Sequence, residues 1–253
     1  KIENQVAYIT FNRPDVFNSF DREMALLLQA TLDDCEKNSE VRSIVLNGNG
    51  KAFCAGQDLK EVTTPELNPG FKKILEEHYN PIITRIRNIN KPIIAAVNGV
   101  AAGAGANIAL ACDVVVASEN VSFIQAFSKI GLVPDSGGTF FLPRLIGFQK
   151  ASALMMLGDK IPAKEAEVLG MIYKVFPVDT FYEEVNTIAT HLANMPTKAL
   201  GFIKRMLNES MTNTLEQQLD LEGKLQIEAA QSEDYIEGVN AFIEKRKPIF
   251  KGK

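Results

Sequence analysis

The sequence predicts an α/β core followed by a helical C-terminal region, and two observations lead to this fold class. Short apolar runs alternate with amphipathic segments through the N-terminal part of the chain, which is typical of parallel strands joined by helices. Beyond about residue 181 the strand-like runs stop and only helical segments follow. We therefore expect residues 1–180 to form the core and residues 181–253 to pack as helices on the core or on a neighbouring subunit.

The strands of the core are predicted from runs rich in β-branched and other apolar residues. They are VAYITFN at 6–12, SIVLNG at 43–48, PIIAAVNG at 92–99 and DVVVAS at 113–118. The first helix is predicted over 21–38, where apolar residues recur at helical spacing behind acidic residues. A further helix is expected to end at Gly170 before another strand, and Ser232 is placed to cap the last helix.

The composition is that of a globular protein, and it disfavours binding to nucleic acid or to an anionic membrane. Hydrophobic residues make up 46% of the chain and charged residues 23%, and the net charge of −4 provides no basic surface for a polyanion. One uncharged segment, 92–112, has the length of a membrane span. Asn98, Gly103 and Asn107 within it indicate a buried strand, a glycine turn and a buried helix instead.

The cysteines and histidines of the chain predict no metal site. Cys35, Cys54 and Cys112 are odd in number and lack the spacing of metal ligands, so we expect buried thiols and a cytoplasmic, reducing compartment. His78 and His191 lie in charged or polar helical segments, and we expect both on the surface.

Two common enzyme signatures are absent. GVAAGAG at 99–105 is similar to a dinucleotide-binding loop, but it does not follow the first strand and no tyrosine has a lysine four residues later. There is also no Gly-x-Ser-x-Gly nucleophile turn. A short-chain dehydrogenase and a serine hydrolase are therefore both disfavoured.

Two turns of small residues can present backbone N–H groups to a ligand. FCAGQDL at 53–59 and VAAGAGAN at 100–107 each follow a predicted strand and can open a helix. Two such N–H groups that converge on one carbonyl oxygen form an oxyanion hole, which suits chemistry through an enolate. Tight packing of the core explains the small residues equally well, so both interpretations stay open.

Asp135 is the only carboxylate in KIGLVPDSGGTFFLPR at 129–144, and it also has two interpretations. An aspartate beside glycines can shape a turn or cap the following helix. It can equally be a catalytic acid or base. Within this segment alone, capping is the more frequent role.

These segments together resemble the crotonase superfamily of enoyl-CoA hydratases and isomerases. The similarity is carried by FNRPDVFNSF at 11–20, FCAGQDL, KPIIAAVNGVAAGAGANIALACDVVVAS at 91–118 and GLVPDSGGTFFLPRLIG at 131–147. It runs almost end to end. The resemblance implies a spiral of β-β-α turns with a C-terminal helical region that assembles trimers, often paired into hexamers.

The resemblance also implies roles for individual residues. The oxyanion N–H groups would belong to Gln57 and Ala104. The residues implied to bind the acyl-CoA thioester are Ala55, Asp58, Leu59 and Phe127, with Phe242 and Lys245 reaching in from the neighbouring subunit. Coenzyme A would arrive as part of the substrate, and no other cofactor is expected.

One departure from the family pattern bears on the reaction. Hydratases of the family use two glutamates to activate water, and here those positions hold Asn107 and Phe127, neither of which can act as a base. Asp135 lies where isomerases of the family carry an acid. The resemblance therefore implies an isomerase that moves a double bond from the β,γ to the α,β position, and its most similar members also open a ring epoxide to an oxepin thioester.

Three points stay open from the sequence. A hydratase is one alternative, and a non-catalytic CoA-binding or RNA-binding member of the fold is another. Apolar neighbours such as Phe127 and Phe140 would raise the pKa of Asp135, whereas capping a helix N-terminus would lower it. The sign of this shift therefore separates the two interpretations of Asp135.

Overall fold

Two β-sheets form the centre of the protein in a computed structural model, which describes residues 1–253. The larger sheet contains, in spatial order, β1 (Ile2–Glu3), β2 (Val6–Phe11), β3 (Ser43–Gly48), β5 (Ile93–Val97), β7 (Val114–Ser118) and β10 (Lys174–Phe176). The smaller sheet contains β4 (Ala52–Cys54), β6 (Val100–Ala102), β8 (Ser122–Ile124) and β9 (Lys160–Pro162). All neighbouring strands are parallel except the β1–β2 and β8–β9 pairs. The four strands predicted from the sequence are all confirmed.

Twelve α-helices accompany the sheets. They are α1 (Arg22–Lys37), α2 (Leu59–Thr63), α3 (Phe71–Lys73), α4 (Asn80–Asn88), α5 (Ala104–Leu110), α6 (Gly138–Ile146), α7 (Phe148–Leu157), α8 (Ala163–Val168), α9 (Phe181–Ala193), α10 (Thr197–Glu209), α11 (Leu215–Ala230) and α12 (Glu233–Ile243). A π-helical turn, Ile74–Tyr79, joins α3 to α4. The side chain of Ser232 accepts a hydrogen bond from the Tyr235 N–H, so the predicted cap of the last helix is confirmed.

The chain repeats one pattern along the sheets. A strand of the larger sheet is followed by a strand of the smaller sheet and then by a helix, as in β3–β4–α2 and β5–β6–α5. Each repeat places a tight turn at the end of its second strand, beside the same turn of the next repeat. The spiral of β-β-α turns expected from the resemblance is confirmed.

The larger sheet is buried on both faces. Ile44 and Leu46 of β3 point into the main core, whereas Val45 points to the other face, against Phe181 and Val185 of α9. This explains why the strands read as continuous apolar runs rather than as alternating ones. It also shows that the helical region after residue 181 begins on the core itself.

The uncharged segment 92–112 folds inside the protein as the sequence predicted. It forms β5, β6 and α5, and every residue of α5 is buried. None of the helices is both long enough and apolar enough to cross a membrane. A Cβ on Gly105 would lie 2.7 Å from Cys54 Sγ, so only glycine lets α5 pack this closely on β4.

Polar anchors fix the later C-terminal elements to the core. Lys204 of α10 lies with its Nζ 2.8 Å from Asp113 Oδ2, and both side chains are largely buried. Arg42 donates hydrogen bonds to the carbonyl oxygens of Met195 and Phe250. Large apolar side chains of α11 and α12 nevertheless remain exposed, among them Leu215, Leu219, Val239, Phe242 and Ile243.

Candidate active site

A cavity of about 650 Å³ lies where the two small-residue turns meet the loop that carries Asp135. Most of its lining is apolar. The lining includes Ala55, Gly56, Gln57, Leu59, Phe71, Ile74, Tyr79, Gly103, Ala104, Phe127, Ile130, Leu132 and Asp135. Asp135 is the only carboxylate among the lining residues. An apolar cavity with a few convergent polar groups has the general form of a small-molecule site.

The parallel pairing of β4 and β6 brings the two turns together. Cys54 lies opposite Ala101 in the register, and Gln57 and Ala104 each follow three residues later. Gly56 adopts a φ of +94°, which favours glycine. A Cβ at this position would lie 3.0 Å from Ala102 O and 3.3 Å from the Ala104 nitrogen, so the two turns are in backbone contact.

The N–H groups of Gln57 and Ala104 both lack an acceptor within the protein. On either side of Gln57 the backbone is bonded, because Phe20 N donates to Gly56 O at 2.7 Å and Asp58 N donates to Phe20 O at 2.8 Å. Ala104 is the first residue of α5, where no preceding turn supplies a carbonyl. Gln57 and Ala104, which the resemblance assigns to the oxyanion hole, therefore line the same cavity, and each has a backbone N–H without an acceptor.

The side chain of Gln57 is held by two buried groups. The Tyr79 hydroxyl donates to Gln57 Oε1 at 2.9 Å, and Gln57 Nε2 donates to Glu61 Oε2 at 2.6 Å. The other Glu61 oxygen accepts from the Arg22 N–H at the start of α1, at 2.8 Å. Burial raises the pKa of Tyr79 well above its ordinary value, so the phenol stays protonated and donates. Neither Tyr79 nor Glu61 was predicted from the sequence as a site residue, because no local pattern links either residue to Gln57.

Asp135 does not cap the helix that follows it. The N-cap of α6 is Gly137, which makes no side-chain cap, and Asp135 contributes only its backbone carbonyl, which accepts from the Gly138 N–H at 2.9 Å. The carboxylate instead accepts a hydrogen bond of 2.9 Å from Ser136 Oγ and faces the cavity. The interpretation of its side chain as a helix cap is therefore wrong.

Burial raises the pKa of Asp135 to about 6, against the lowering effect of the Ser136 hydrogen bond. This is the sign expected for an apolar cavity and the opposite of the sign expected for a helix cap. Phe127 lines the cavity as predicted, but Phe140 does not: it is 38% exposed and packs against the guanidinium of Arg144. Leu132 takes the place expected for Phe140 among the apolar lining residues.

The remaining predicted residues divide into three groups. Ala55 and Leu59 line the cavity. Asp58 does not line the cavity, since its side chain accepts from the Lys60 N–H at 3.0 Å and pairs with Arg13 at 2.9 Å, and its contact with the acyl-CoA thioester stays a prediction. Phe242 and Lys245 lie outside this cavity in the single chain, and their place beside a neighbouring subunit stays a prediction.

His78 is a correction. It is 1% exposed rather than on the surface, since Ile74, His78 and Ile82 follow one another at helical spacing on the buried side. Its Nε2 lies 3.2 Å from Arg22 Nη1, and burial lowers its pKa, which favours the neutral ring. The predicted burial of all three cysteines is confirmed. His, Cys, Asp and Glu side chains form no group of three that could hold a metal ion.

The complete chain, residues 1–253, matches the family model described as enoyl-CoA hydratase/isomerase. The protein belongs to this family. It is 44% identical to the 1,2-epoxyphenylacetyl-CoA isomerase of Escherichia coli (strain K12) over 254 residues, which cover 100% of this chain and 97% of the relative. It is 43% identical, with the same coverage, to a Rhodobacter capsulatus protein that bears the name "Probable enoyl-CoA hydratase".

Solved structures agree with this assignment. The chain superposes on a crystal structure of an enoyl-CoA hydratase from Polaromonas sp. JS666 with a TM-score of 0.92 at 34% identity, covering 99% of this chain and 98% of the other. The protein is thus an enzyme of the crotonase fold, as the sequence resemblance implied. An acyl-CoA thioester substrate is consistent with the family. Identities of 44% and 43% do not separate an isomerase from a hydratase, so that choice depends on the site.

Proposed function

We propose that the protein is an acyl-CoA isomerase in which Asp135 carries a proton between two carbons of the acyl chain. The observation that carries the proposal is that Asp135 is the only carboxylate lining a cavity that also holds the free N–H groups of Gln57 and Ala104. One acid that removes and returns the same proton suffices for an isomerase. A hydratase of this family uses two.

The proposed reaction begins with the thioester carbonyl oxygen bound by the N–H groups of Gln57 and Ala104. The Asp135 carboxylate removes a proton from the α-carbon of a β,γ-enoyl thioester, and the electron pair of the broken C–H bond delocalises onto the thioester oxygen as a dienolate. The two amides stabilise that charge with fixed dipoles. Asp135 then returns its proton to the γ-carbon, which leaves the double bond between the α- and β-carbons.

The raised pKa of Asp135 supports this role. A carboxylate with a pKa of about 6 is a stronger base than an ordinary aspartate, yet it is still mostly ionised near neutral pH. It can therefore accept a proton and also release it within one turnover. No cofactor is required besides the coenzyme A that the substrate carries.

A ring-epoxide thioester is a second candidate substrate for the same site. The relative at 44% identity is named for the isomerisation of 1,2-epoxyphenylacetyl-CoA. Aromatic side chains of Phe71, Tyr79 and Phe127 line the cavity, which suits a planar or ring-shaped acyl group. The aromatic lining and the single acid fit both substrates.

Ultraviolet absorbance with three thioesters tests the proposal. The enzyme should conjugate a 3-enoyl-CoA and so raise the absorbance of the enoyl thioester, should convert the ring epoxide, and should bleach a 2-enoyl-CoA weakly or not at all. Hydration of the 2-enoyl-CoA at a rate comparable to isomerisation would make the protein a hydratase. Binding without any conversion would make it a non-catalytic member of the fold.

The Asp135→Asn substitution tests the role of the carboxylate. We expect a folded protein that binds CoA thioesters but isomerises them about 10² to 10⁴ times more slowly, the usual contribution of a positioned base. Asp179→Asn is the matched control, because Asp179 is exposed and lies outside the cavity. Retention of activity in Asp135→Asn would leave the reaction without this base and overturn the proposal.

A further inference from the structure

Two buried amide side chains form a chain that ends at the backbone of Asp135. Gln125 Nε2 donates to Asn107 Oδ1 at 2.8 Å, and Asn107 Nδ2 donates to the carbonyl oxygen of Asp135 at 2.9 Å. Asn107 is 0% exposed and Gln125 is 3% exposed. Neither side chain lines the cavity, so neither touches a substrate there.

The order of donors and acceptors gives this series of hydrogen bonds from Gln125 to Asp135 a direction. A carboxamide donates at its nitrogen and accepts at its oxygen. Because Gln125 donates to Asn107 Oδ1, the Asn107 nitrogen is left facing Asp135. The opposite orientation would place the Asn107 oxygen against the Asp135 carbonyl oxygen, where the Asn107 oxygen would have no donor.

Asn107 is hydrogen-bonded to a loop whose backbone adopts an unfavourable, left-handed conformation. Ser136 has a φ of +50° and Gly137 a φ of +73°, so two consecutive residues after Asp135 are left-handed. The Asp135 carbonyl is shared by the Asn107 side chain and the Gly138 N–H. A Cβ at Gly138 would lie 2.7 Å from Asn107 Cγ, so glycine is required for the amide to reach this carbonyl.

The side chain of Gln125 contains a buried polar atom without a hydrogen-bond partner. Its Oε1 is buried without a hydrogen-bond partner, and the only other such side-chain atom in the protein is Thr190 Oγ1. A buried carbonyl without a donor is destabilising relative to an apolar group of the same shape. A methionine would fill the same space without that penalty, so packing alone does not account for a glutamine here.

We propose that Asn107 and Gln125 are positioning residues for the proton transfer, with Gln125 orienting the Asn107 amide and Asn107 fixing the backbone of Asp135 relative to the oxyanion amides. This inference rests on the proposed function, because the position of Asp135 matters to the rate only if its carboxylate moves the proton. It also gives Asn107 a role at a position where hydratases of the family carry a glutamate.

The first test is the Gln125→Met variant. It removes the unpaired Gln125 oxygen but also the donor to the buried Asn107 Oδ1, so one unpaired oxygen replaces another and we expect the thermal stability to change little. We expect kcat for isomerisation to fall roughly 10- to 100-fold, the size of effect caused by small misplacement of a catalytic group. KM should change by less than about twofold, since the cavity lining is untouched. The acidic midpoint of the kcat profile should move below the wild-type value as the loosened loop admits water to Asp135.

The second test uses the direction of the amide chain. In Gln125→Glu, at a pH where the new carboxyl is ionised, the carboxylate requires a donor. The Asn107 amide then turns its nitrogen toward residue 125, and the Asp135 carbonyl loses its bond from Asn107. We expect a larger loss of kcat than in Gln125→Met. An equal or smaller loss would mean that the orientation of Asn107 is not set by Gln125.

A double-mutant cycle separates positioning from independent effects. In the Asn107→Leu background, Gln125→Met should lower kcat no further, because Gln125 acts through Asn107. Thr190→Val is the matched control, since it removes the other unpaired buried oxygen far along the chain in α9, and its kcat and pH midpoint should equal those of the wild type.

The outcomes distinguish this inference from the proposed function. If Asp135→Asn abolishes isomerisation while Gln125→Met keeps the wild-type kcat and pH midpoint, the proposed function stands and the positioning inference is overturned. If Asp135→Asn retains isomerisation, the proposed function itself fails. Additive losses in the cycle would likewise overturn the positioning inference.

Discussion

The hydroxyl of Tyr79 donates a hydrogen bond of 2.9 Å to Oε1 of Gln57, a residue that lines the cavity and whose backbone N–H has no acceptor within the protein. Together with the bond from Gln57 Nε2 to Glu61, it fixes the Gln57 side chain at both ends. The side chain in turn limits rotation of its own peptide. A candidate oxyanion donor is thus oriented by two side chains that a sequence motif does not contain.

Removing the Tyr79 hydroxyl should weaken this orientation without destroying the site. We expect Tyr79→Phe to lower kcat about 3- to 10-fold, in line with the loss of one neutral hydrogen bond. Steady-state kinetics with a 3-enoyl-CoA measure the effect, and Tyr173→Phe, at an exposed tyrosine, is the control. A loss beyond about 10²-fold would indicate that the hydroxyl takes a direct part in the reaction.

A side chain at position 56 should push the two oxyanion turns apart. In Gly56→Ala the new Cβ meets Ala102 O and the Ala104 nitrogen, and the φ of +94° adds backbone strain. We expect a stability loss of about 1 to 3 kcal/mol in urea unfolding and an activity loss near 10²-fold. Gly170→Ala is the control, because its φ is +74° and the nearest atom to a Cβ lies 3.8 Å away. Equal activity losses in both variants would contradict the geometry of the hole.

The isomerisation rate should rise with pH. A base must be ionised to remove a proton, and the pKa of Asp135 is raised to about 6, so kcat/KM should increase through a midpoint near that value and then level off. Tyr79, the other titratable group lining the cavity, stays protonated because burial raises its pKa well above 10. A rate that is flat from about pH 5 to pH 8 would exclude Asp135 as the base.

The same raised pKa predicts a stability effect of known sign. The folded protein binds the Asp135 proton more tightly than the unfolded chain does, so folding is favoured at low pH and this contribution is lost as pH rises toward 6. Asp135→Asn should therefore be more stable than the wild type near pH 8, by on the order of 2 kcal/mol, with the difference shrinking toward pH 4. Urea unfolding at both pH values measures it, with Asp179→Asn as the control. A variant less stable than the wild type near pH 8 would contradict this.

The exposed apolar side chains of α11 and α12 predict a homo-oligomer, and the family resemblance implies that it is built from trimers. Phe242 is 85% exposed, and Leu215, Leu219 and Ile243 are also exposed, which is unfavourable for a lone chain in water. Light scattering should give a mass that is three or six times the 27.8 kDa of one chain. A monodisperse monomer at micromolar concentration would contradict the prediction.

The pattern of apolar residues was sufficient to predict the strands and the helix that bury a continuous apolar run or face. The strands β2, β3, β5 and β7 and the helix α1 follow from runs of apolar residues, because a buried strand or helix face must be apolar wherever it packs. The positions of Gln57 and Ala104 came from the family resemblance. From the residues alone, a glycine turn for close packing and a glycine turn for an oxyanion hole look the same, and at Gly56 one turn serves both purposes.

The errors share a physical cause, which is that partners distant in sequence decide the role of a polar residue. His78 has charged neighbours in sequence but follows Ile74 on the buried side of its helix. The sequence placed Asn107 in a buried helix and showed that it cannot act as a base. Its bonds to Gln125 and Asp135 were missed because these partners lie 18 and 28 residues away along the chain.

The equal offset of Gln57 and Ala104 beyond the paired residues Cys54 and Ala101 has a metric consequence. Adjacent strands of a sheet lie about 4.8 Å apart, so the two turns leave the sheet at neighbouring positions. Two donors about 4.8 Å apart can each lie about 2.9 Å from a single oxygen between them. In the proposed reaction, the amides that bind the carbonyl belong to the backbone of two turns, so substitutions at positions 107, 127 and 135 would redirect the proton to another carbon or to water while those amides stay in place.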